Sequence, residues 1–461
     1  MTTQVDLIET VMDHVLGCQY DSLGKATVAM MKTLIIDTMG VAVAGSSGER
    51  LPELAALVQD WGGKPEASLL VHGQHVPAFH AALVNCTMAR AWDFDEVHEG
   101  GGGHLCASVI PTALVLAQCA GGKVSGKTLL LSLVLATDLI ARLRMAQTRR
   151  SGWVAETFAP FGVVAMASRV LGLDRDRTRA AMGLAYAQCA SNTQGTVDGS
   201  LSVRLQQGLA AKSGVLAVQL AQIGFAGPQQ ILQGRFGLYP LYTGGEYDPG
   251  VITGELGRRF ESDNTSLKPY PSCKLTHIPI ALAAAMAREH GIVASDIVRV
   301  VVHTNRDGFD KCASSPSKRR PRSVPDMQFS LPVTVAVGIL RGTVTLADLT
   351  PTTWNDPQVA ALADKVEVRV DPELDALPLL ISPAVVEIDT YSGAHYRKRG
   401  DAVSGAPEQR MSEAEVAAKF RGCVAASCKP LPRAKSEAFL QQVGQLEGLD
   451  DVRPLADLLI A

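Results

Sequence analysis

Between Leu23 and Gly227 the sequence runs through helix-length segments that are apolar around most of their circumference. "LGKATVAMMKTLIIDTMGVAVAG", "PAFHAALVNCTMARAWDFD", "GKTLLLSLVLATDLIARLRMA" and "AAKSGVLAVQLAQIGFAG" are representative. A helix of this kind has no face to give to water, so other helices must cover it on several sides. Abundant alanine and glycine let such helices approach closely, and Gly45 stands where a C-cap is expected. The first 262 residues therefore predict a large helical domain.

The texture changes after residue 262. "DIVRVVVHT", "KVEVRVDP" and "AVVEIDTYSG" carry the β-branched alternation of strands. "HIPIALAAAMAREHG", "QFSLPVTVAVGILRG" and "DPQVAALADK" lie among them as helices. This is an α+β module over 263–405. From 406 to 461 the helical texture returns in "SEAEVAAKFRGCVAA" and "KSEAFLQQVGQLEGL". The expected fold is mainly α: an all-helical domain built from both chain ends, with an α+β domain inserted. A chain of 461 residues is long enough for two cores.

A net charge of −3 gives no sign of a nucleic-acid partner. The short basic run "KRRPR" (Lys318 to Arg322) reads as a solvated loop or as a dock for an anionic substrate. The nine cysteines form no CxxC pair, which fits free thiols in a reducing compartment. The N-terminal "MTTQVDLIETVMDHVL" has acids where a signal peptide carries basic residues, and reads as an amphipathic helix. The most apolar run, Leu129 to Ala141, is about 13 residues long against the roughly 20 of a membrane span. A cytoplasmic protein without a membrane partner is expected.

Two blocks and one segment concentrate chemistry. "DFDEVHEGGGGH" places Asp93, Asp95, Glu96, His98 and His104 at a helix end and in a glycine-rich loop. Three readings fit: a solvated loop with capping acids, a carboxylate–imidazole metal site, or an acid–base pair. Four glycines in a row suggest a mobile gate, or backbone that passes close to a ligand. "SLKPYPSCKLTH" carries Lys268, Tyr270, Cys273, Lys274 and His277 on a proline-stiffened segment at the domain junction, where ligand clefts form. "GSLSVRLQQGLAAKSG" offers Arg204 and Lys212 as carboxylate binders, with a helix-surface role as the simpler reading of Lys212.

"AWDFDEVHEGGGGH", "VRLQQGLAAKSG", "SLKPYPSCKLTH" and "MQFSLPVTVAVGIL" resemble, in order and separation, four blocks of the MmgE/PrpD family. The resemblance covers nearly the whole chain. It implies a helical domain with an α+β lid, a homodimer, no metal or organic cofactor, and activities such as dehydration, decarboxylation or epimerisation of small acids. It also implies that Asp93, His104 and Lys268 line a pocket between the two domains. The chain departs from the decarboxylase-type pattern in places. "RRSGWVAETFAPFG" offers Trp153 or a neighbour where those members have a histidine. Val203, Arg204, Leu205 and Gln206 stand where a lysine and a histidine are usual. Lys274 stands where Arg or His is common.

The resulting expectation is a cofactor-independent lyase of the dehydratase type, moving a proton at a carbon next to a carboxylate. His104 transfers the proton, Asp93 orients it or shares the proton, and Lys268 and Arg204 hold substrate carboxylates and developing charge. Tyr270, Lys274, Trp153 and Gln206 complete the substrate-binding set. Epimerisation, decarboxylation and a non-catalytic acid-binding role are the alternatives. The changed positions point to a substrate less highly charged than methylcitrate or aconitate.

Overall fold

The computed structural model describes residues 6–149, 152–379 and 381–461. The first five residues of the N-terminal segment, and Arg150 and Ser151 of "RRSGW", thus lie outside the described residues. The helical domain contains α1 (Leu7–Gly17), α2 (Lys25–Gly45), α3 (Leu51–Trp61), α4 (Ala78–Arg90), α5 (Cys106–Cys119), α6 (Gly126–Met145), α7 (Ala159–Val170), α8 (Arg175–Tyr186), α9 (Gln194–Val197) and α10 (Ser202–Gln222). Every residue of α4 except Phe79 is buried, as is α6 from Leu129 to Leu143. That is the all-round covering the apolar sequence required. The length and composition of α2 would let it cross a membrane. Here it packs against α4, α5 and the C-terminal helix Glu413–Ala425.

Glycine sets the closest helix approaches. A Cβ on Gly208 of α10 would stand 2.1 Å from the carbonyl oxygen of Leu83 on α4. One on Gly45 would stand 1.9 Å from that of Met88. Gly45 is therefore the last residue of α2 because α4 passes against it, and not because a left-handed cap is needed. The two contacts clamp the middle and the C-terminal end of α4, which leads into the first chemical block.

One hydrophobic core joins these helices, all but the short α9, to Val416, Phe420, Phe439 and Leu459, so the chain's end returns to the helical domain. A second core holds Ile280, Val300, Val335 and Val386. It packs the helices His277–Glu289 and Leu331–Arg341 on a sheet of order β6-β5-β7-β8. Its strands are β5 (Ile297–Thr304), β6 (Val366–Val370), β7 (Ala384–Thr390) and β8 (His395–Gly400). β5 runs parallel to β6 and antiparallel to β7, and β7 pairs antiparallel with β8. The edge strand β8, "HYRKRG", was not among the strands read from sequence. Its charged side chains protect an edge and mask the alternation. Two small pairs complete the strands: β1 (Ala67–Ser68) with β2 (His75–Val76), and β3 (Val97–His98) with β4 (Thr265–Ser266).

Lys212 belongs to this scaffold. Its ammonium lies 5.9 Å from the ring centroids of both Trp61 and Phe79, a cation–π position. Most of the basic run is also bound into the lid: Arg319 donates to the carbonyls of Ala363 and Val366, and Arg320 pairs with Asp364. Gly208→Ala is expected to lower stability by about 1–3 kcal/mol through overpacking against α4. Urea unfolding of the variant beside the parent protein measures it.

Candidate active site

The pairing of β3 with β4 joins the two chemical blocks: Val97 faces Ser266, and His98 faces Thr265. Asp93 lies four residues before β3 and Lys268 two residues after β4. Between α4 and β3 the chain turns at Asp93, whose φ of 51° is left-handed. Aspartate tolerates that conformation better than most residues.

The glycine loop after β3 is a closed turn and not a free gate. The His98 amide donates to the Gly103 carbonyl (2.9 Å), the Gly102 amide to the His98 carbonyl (2.8 Å), and the Gly101 amide to His98 Nδ1 (2.8 Å). On its other nitrogen His98 meets Glu261 at 3.2 Å. His98 is therefore a pin for the loop. Gly103 has a separate reason to be glycine. A Cβ there would stand 2.1 Å from that of Ala155, so the turn Ala155–Thr157 packs directly on the loop.

Asp93 is buried, and its Oδ1 meets three cations: Arg90, Lys268 (3.0 Å) and Arg204 (3.3 Å). Lys268 also donates to the Asp93 carbonyl at 2.8 Å. Burial alone would push the Asp93 carboxyl up, but Lys268, Arg90, Arg204 and His104 outweigh it and hold it well below the usual range. Asp93 is thus a fixed anion. The carboxylate beside His104 is instead Asp95, whose Oδ2 lies 2.9 Å from His104 Nδ1 without hydrogen-bond alignment. Asp95 is also buried, and Arg90 and His104 overcome the burial effect to keep it ionised. Asp95, and not Asp93, is therefore the carboxylate placed beside the His104 ring nitrogen.

A cavity of about 660 Å³ opens between the helical domain and the lid. Asp93, His104, Lys268, Lys274, Trp153 and Gln206 line it, as does Val203. Trp153 stacks on Tyr242 at 4.2 Å, and Gln206 accepts from the Asn192 amide at 2.6 Å. Lys274 is buried, with no hydrogen-bond partner for its ammonium and Glu99 at 3.9 Å. Burial pulls its pKa down to about 8. Lys318 of the basic run reaches the same cavity. Two expected members do not line it. Arg204 lies behind Asp93, donating to Gln328 at 2.6 Å, so it holds the wall and not a ligand. Tyr270 packs edge-on to His277, 5.4 Å away, in the lid.

Sequence reasoning missed Arg90 and Glu156, which also line the cavity. Arg90 is buried and bridges Asp93 and Asp95. Its signal was a lone arginine ending an otherwise uncharged helix. Glu156 was within reach only as an unnamed neighbour of Trp153. Among the described residues, no group of three or more His, Cys, Asp or Glu side chains is arranged to hold a metal ion.

The arrangement can do acid–base chemistry: an imidazole backed by a carboxylate, facing buried cations in a shielded cavity. Comparison with known proteins agrees in family. Residues 9–249 match the MmgE/PrpD N-terminal domain and residues 270–443 the MmgE/PrpD C-terminal domain. Human cis-aconitate decarboxylase is 25% identical, over 98% of this chain and 94% of its own. The mouse enzyme of that name is 24% identical over 96% and 91%, and that of Aspergillus terreus 25% over 95% and 93%. The chain belongs to the MmgE/PrpD family.

Proposed function

We propose that the protein is a cofactor-independent lyase of the dehydratase type, acting on a small hydroxy acid. One observation carries this reading: His104, backed by Asp95, shares a cavity wall system with the ammonium groups of Lys268 and Lys274. Because Nδ1 faces Asp95, Nε2 is the nitrogen left for substrate. It takes the proton from the carbon next to a carboxylate, and Asp95 stabilises the imidazolium. Lys268 and Lys274 hold the carboxylate and the enediolate-like charge that develops. The C–H electron pair becomes the double bond, the C–O bond breaks, and the imidazolium returns its proton to the departing hydroxide.

Decarboxylation is the second reading, favoured by the relatives named cis-aconitate decarboxylase. Epimerisation uses the same proton abstraction without a leaving group. Proton NMR in D₂O with citrate, 2-methylcitrate, cis-aconitate, malate and N-substituted aspartates separates them. New vinyl signals without carbon dioxide are expected. Carbon dioxide release moves the assignment to decarboxylation, and α-proton loss without product moves it to epimerisation. A panel that stays unchanged while one compound raises the melting temperature leaves only an acid-binding protein. His104→Ala is expected to lower turnover by about 10²–10⁴-fold, and a well-folded variant of full activity removes the assignment.

The pH dependence has a definite sign. Lys274 carries charge below its pKa of about 8 and loses it above. Affinity for an anionic substrate should therefore fall as pH rises through about 8, and Lys274→Arg, which stays charged, should abolish that fall. KM measured from pH 6 to about 10 tests this.

We further propose that the working unit is a homodimer. The segment after α10 leaves Ile223, Phe225, Phe236 and Leu241 exposed by 74%, 57%, 66% and 56%, an unusual apolar load for a free surface. Sedimentation equilibrium should give twice the chain mass, and Phe236→Glu should give the single mass.

A further inference from the structure

Glu156 is a carboxylate in a cavity whose proposed task is to hold carboxylates, and among the described residues no cation pairs with it directly, Arg90 attracting it only from beyond ion-pair distance. It is 6% exposed and lines the cavity from the turn Ala155–Thr157. Among the described residues no lysine, arginine or histidine nitrogen lies within the 4.0 Å of an ion pair. Its one fixed partner is neutral: Gln207 Nε2 donates to Oε1 at 2.9 Å. The same amide nitrogen donates to the His104 carbonyl at 3.2 Å, and the amide oxygen takes the Ser108 hydroxyl. Gln207 is thereby committed on every side, and it ties Glu156 to the backbone of His104. The packing of Ala155 on Gly103 fixes the same neighbourhood from the main chain.

A buried carboxylate with a single neutral donor still needs hydrogen-bond donors. A ligand carboxylate arriving there would meet like charge. A hydroxyl or an ammonium would donate to it, and hydrogen bonds to a charged acceptor are the stronger kind. We infer that Glu156 is a specificity-determining residue: it selects a hydroxyl or ammonium substituent, and excludes a carboxylate, beside the carbon that His104 serves. The substrate class is then a small hydroxy or amino acid held at its carboxylate by Lys268 and Lys274. This inference rests on the cavity being the substrate site.

The test is isothermal titration of the wild type, Glu156→Gln and Glu156→Asp with three probes that differ in one substituent. Malate carries a hydroxyl there, succinate a hydrogen and carboxysuccinate a carboxylate. The wild type should bind malate about ten-fold more tightly than succinate and carboxysuccinate most weakly. Glu156→Gln should lose the preference for malate and gain about ten-fold for carboxysuccinate, while Glu156→Asp keeps the wild-type order. Should Glu156→Gln not fold, Glu156→Ser removes the same charge with less volume. The same order of affinities in every protein, or no binding of any probe, overturns the inference. Failure of the lyase reading looks different: malate would bind in a Glu156-dependent way while no acid in the NMR panel turned over.

Discussion

One carboxylate oxygen, Oδ1 of Asp93, is shared by Arg90 at the end of α4, Arg204 on α10 and Lys268 on the junction segment. The site depends on that sharing. Burying four charged groups costs several kcal/mol for each ion, so the cluster is not an efficient way to gain stability. What it supplies is position. Removing Asp93 would leave three buried cations facing one another. The cluster also extends into the lid: Arg204 donates to Gln328, whose amide nitrogen reaches the carbonyls of Trp92 and Pro271. The helical domain, the junction and the lid are thereby held to one geometry by hydrogen bonds whose loss would be costly.

The helical domain was legible because its signal is redundant. Each of α2, α4, α6 and α10 is long and apolar, and a slip of two residues at an end changes little. Three strands of the lid were legible for the same reason: β5, β6 and β7 are rich in valine and isoleucine. β8 escaped because an edge strand is under pressure to look unlike a strand. The pairing of β3 with β4 was out of reach as well. Two-residue strands have no periodicity to detect, and their partners are separated by more than 160 positions.

The site was legible in its membership more than in its roles. Asp93 and Asp95 are two positions apart in "DFD", and sequence alone cannot say which carboxylate turns towards His104. The left-handed turn at Asp93 decides it, sending that side chain to the cations and leaving Asp95 for the imidazole. Arg204 was expected to grip substrate because arginine suits carboxylates. Its position one residue from Val203 on a helix places it a layer behind the wall, where it grips Asp93 instead. The glycines were read as a mobile gate or as backbone passing close to a ligand. Two of them are better explained as absence of bulk, at His98 and at Ala155.

The electrostatics of the cavity bear on the acid proposed as its substrate. Among the described residues, six lysine or arginine side chains line it against four aspartates and glutamates. Much of that positive charge is already engaged. Arg90 serves two aspartates, Lys268 is bonded to Asp93, and Lys311 pairs with Asp307 at 2.7 Å. Lys274, by contrast, is buried and without a hydrogen-bond partner, and so has much to gain from a ligand. Trp153, Val203 and Gln206 add no charge to the wall, and Glu156 adds a negative one. Among the described residues, a trianion entering such a space would find few uncommitted cations to offset its desolvation. The proposed acid of lower charge, with one carboxylate gripped and a donor to spare, is the one that the described groups leave room for.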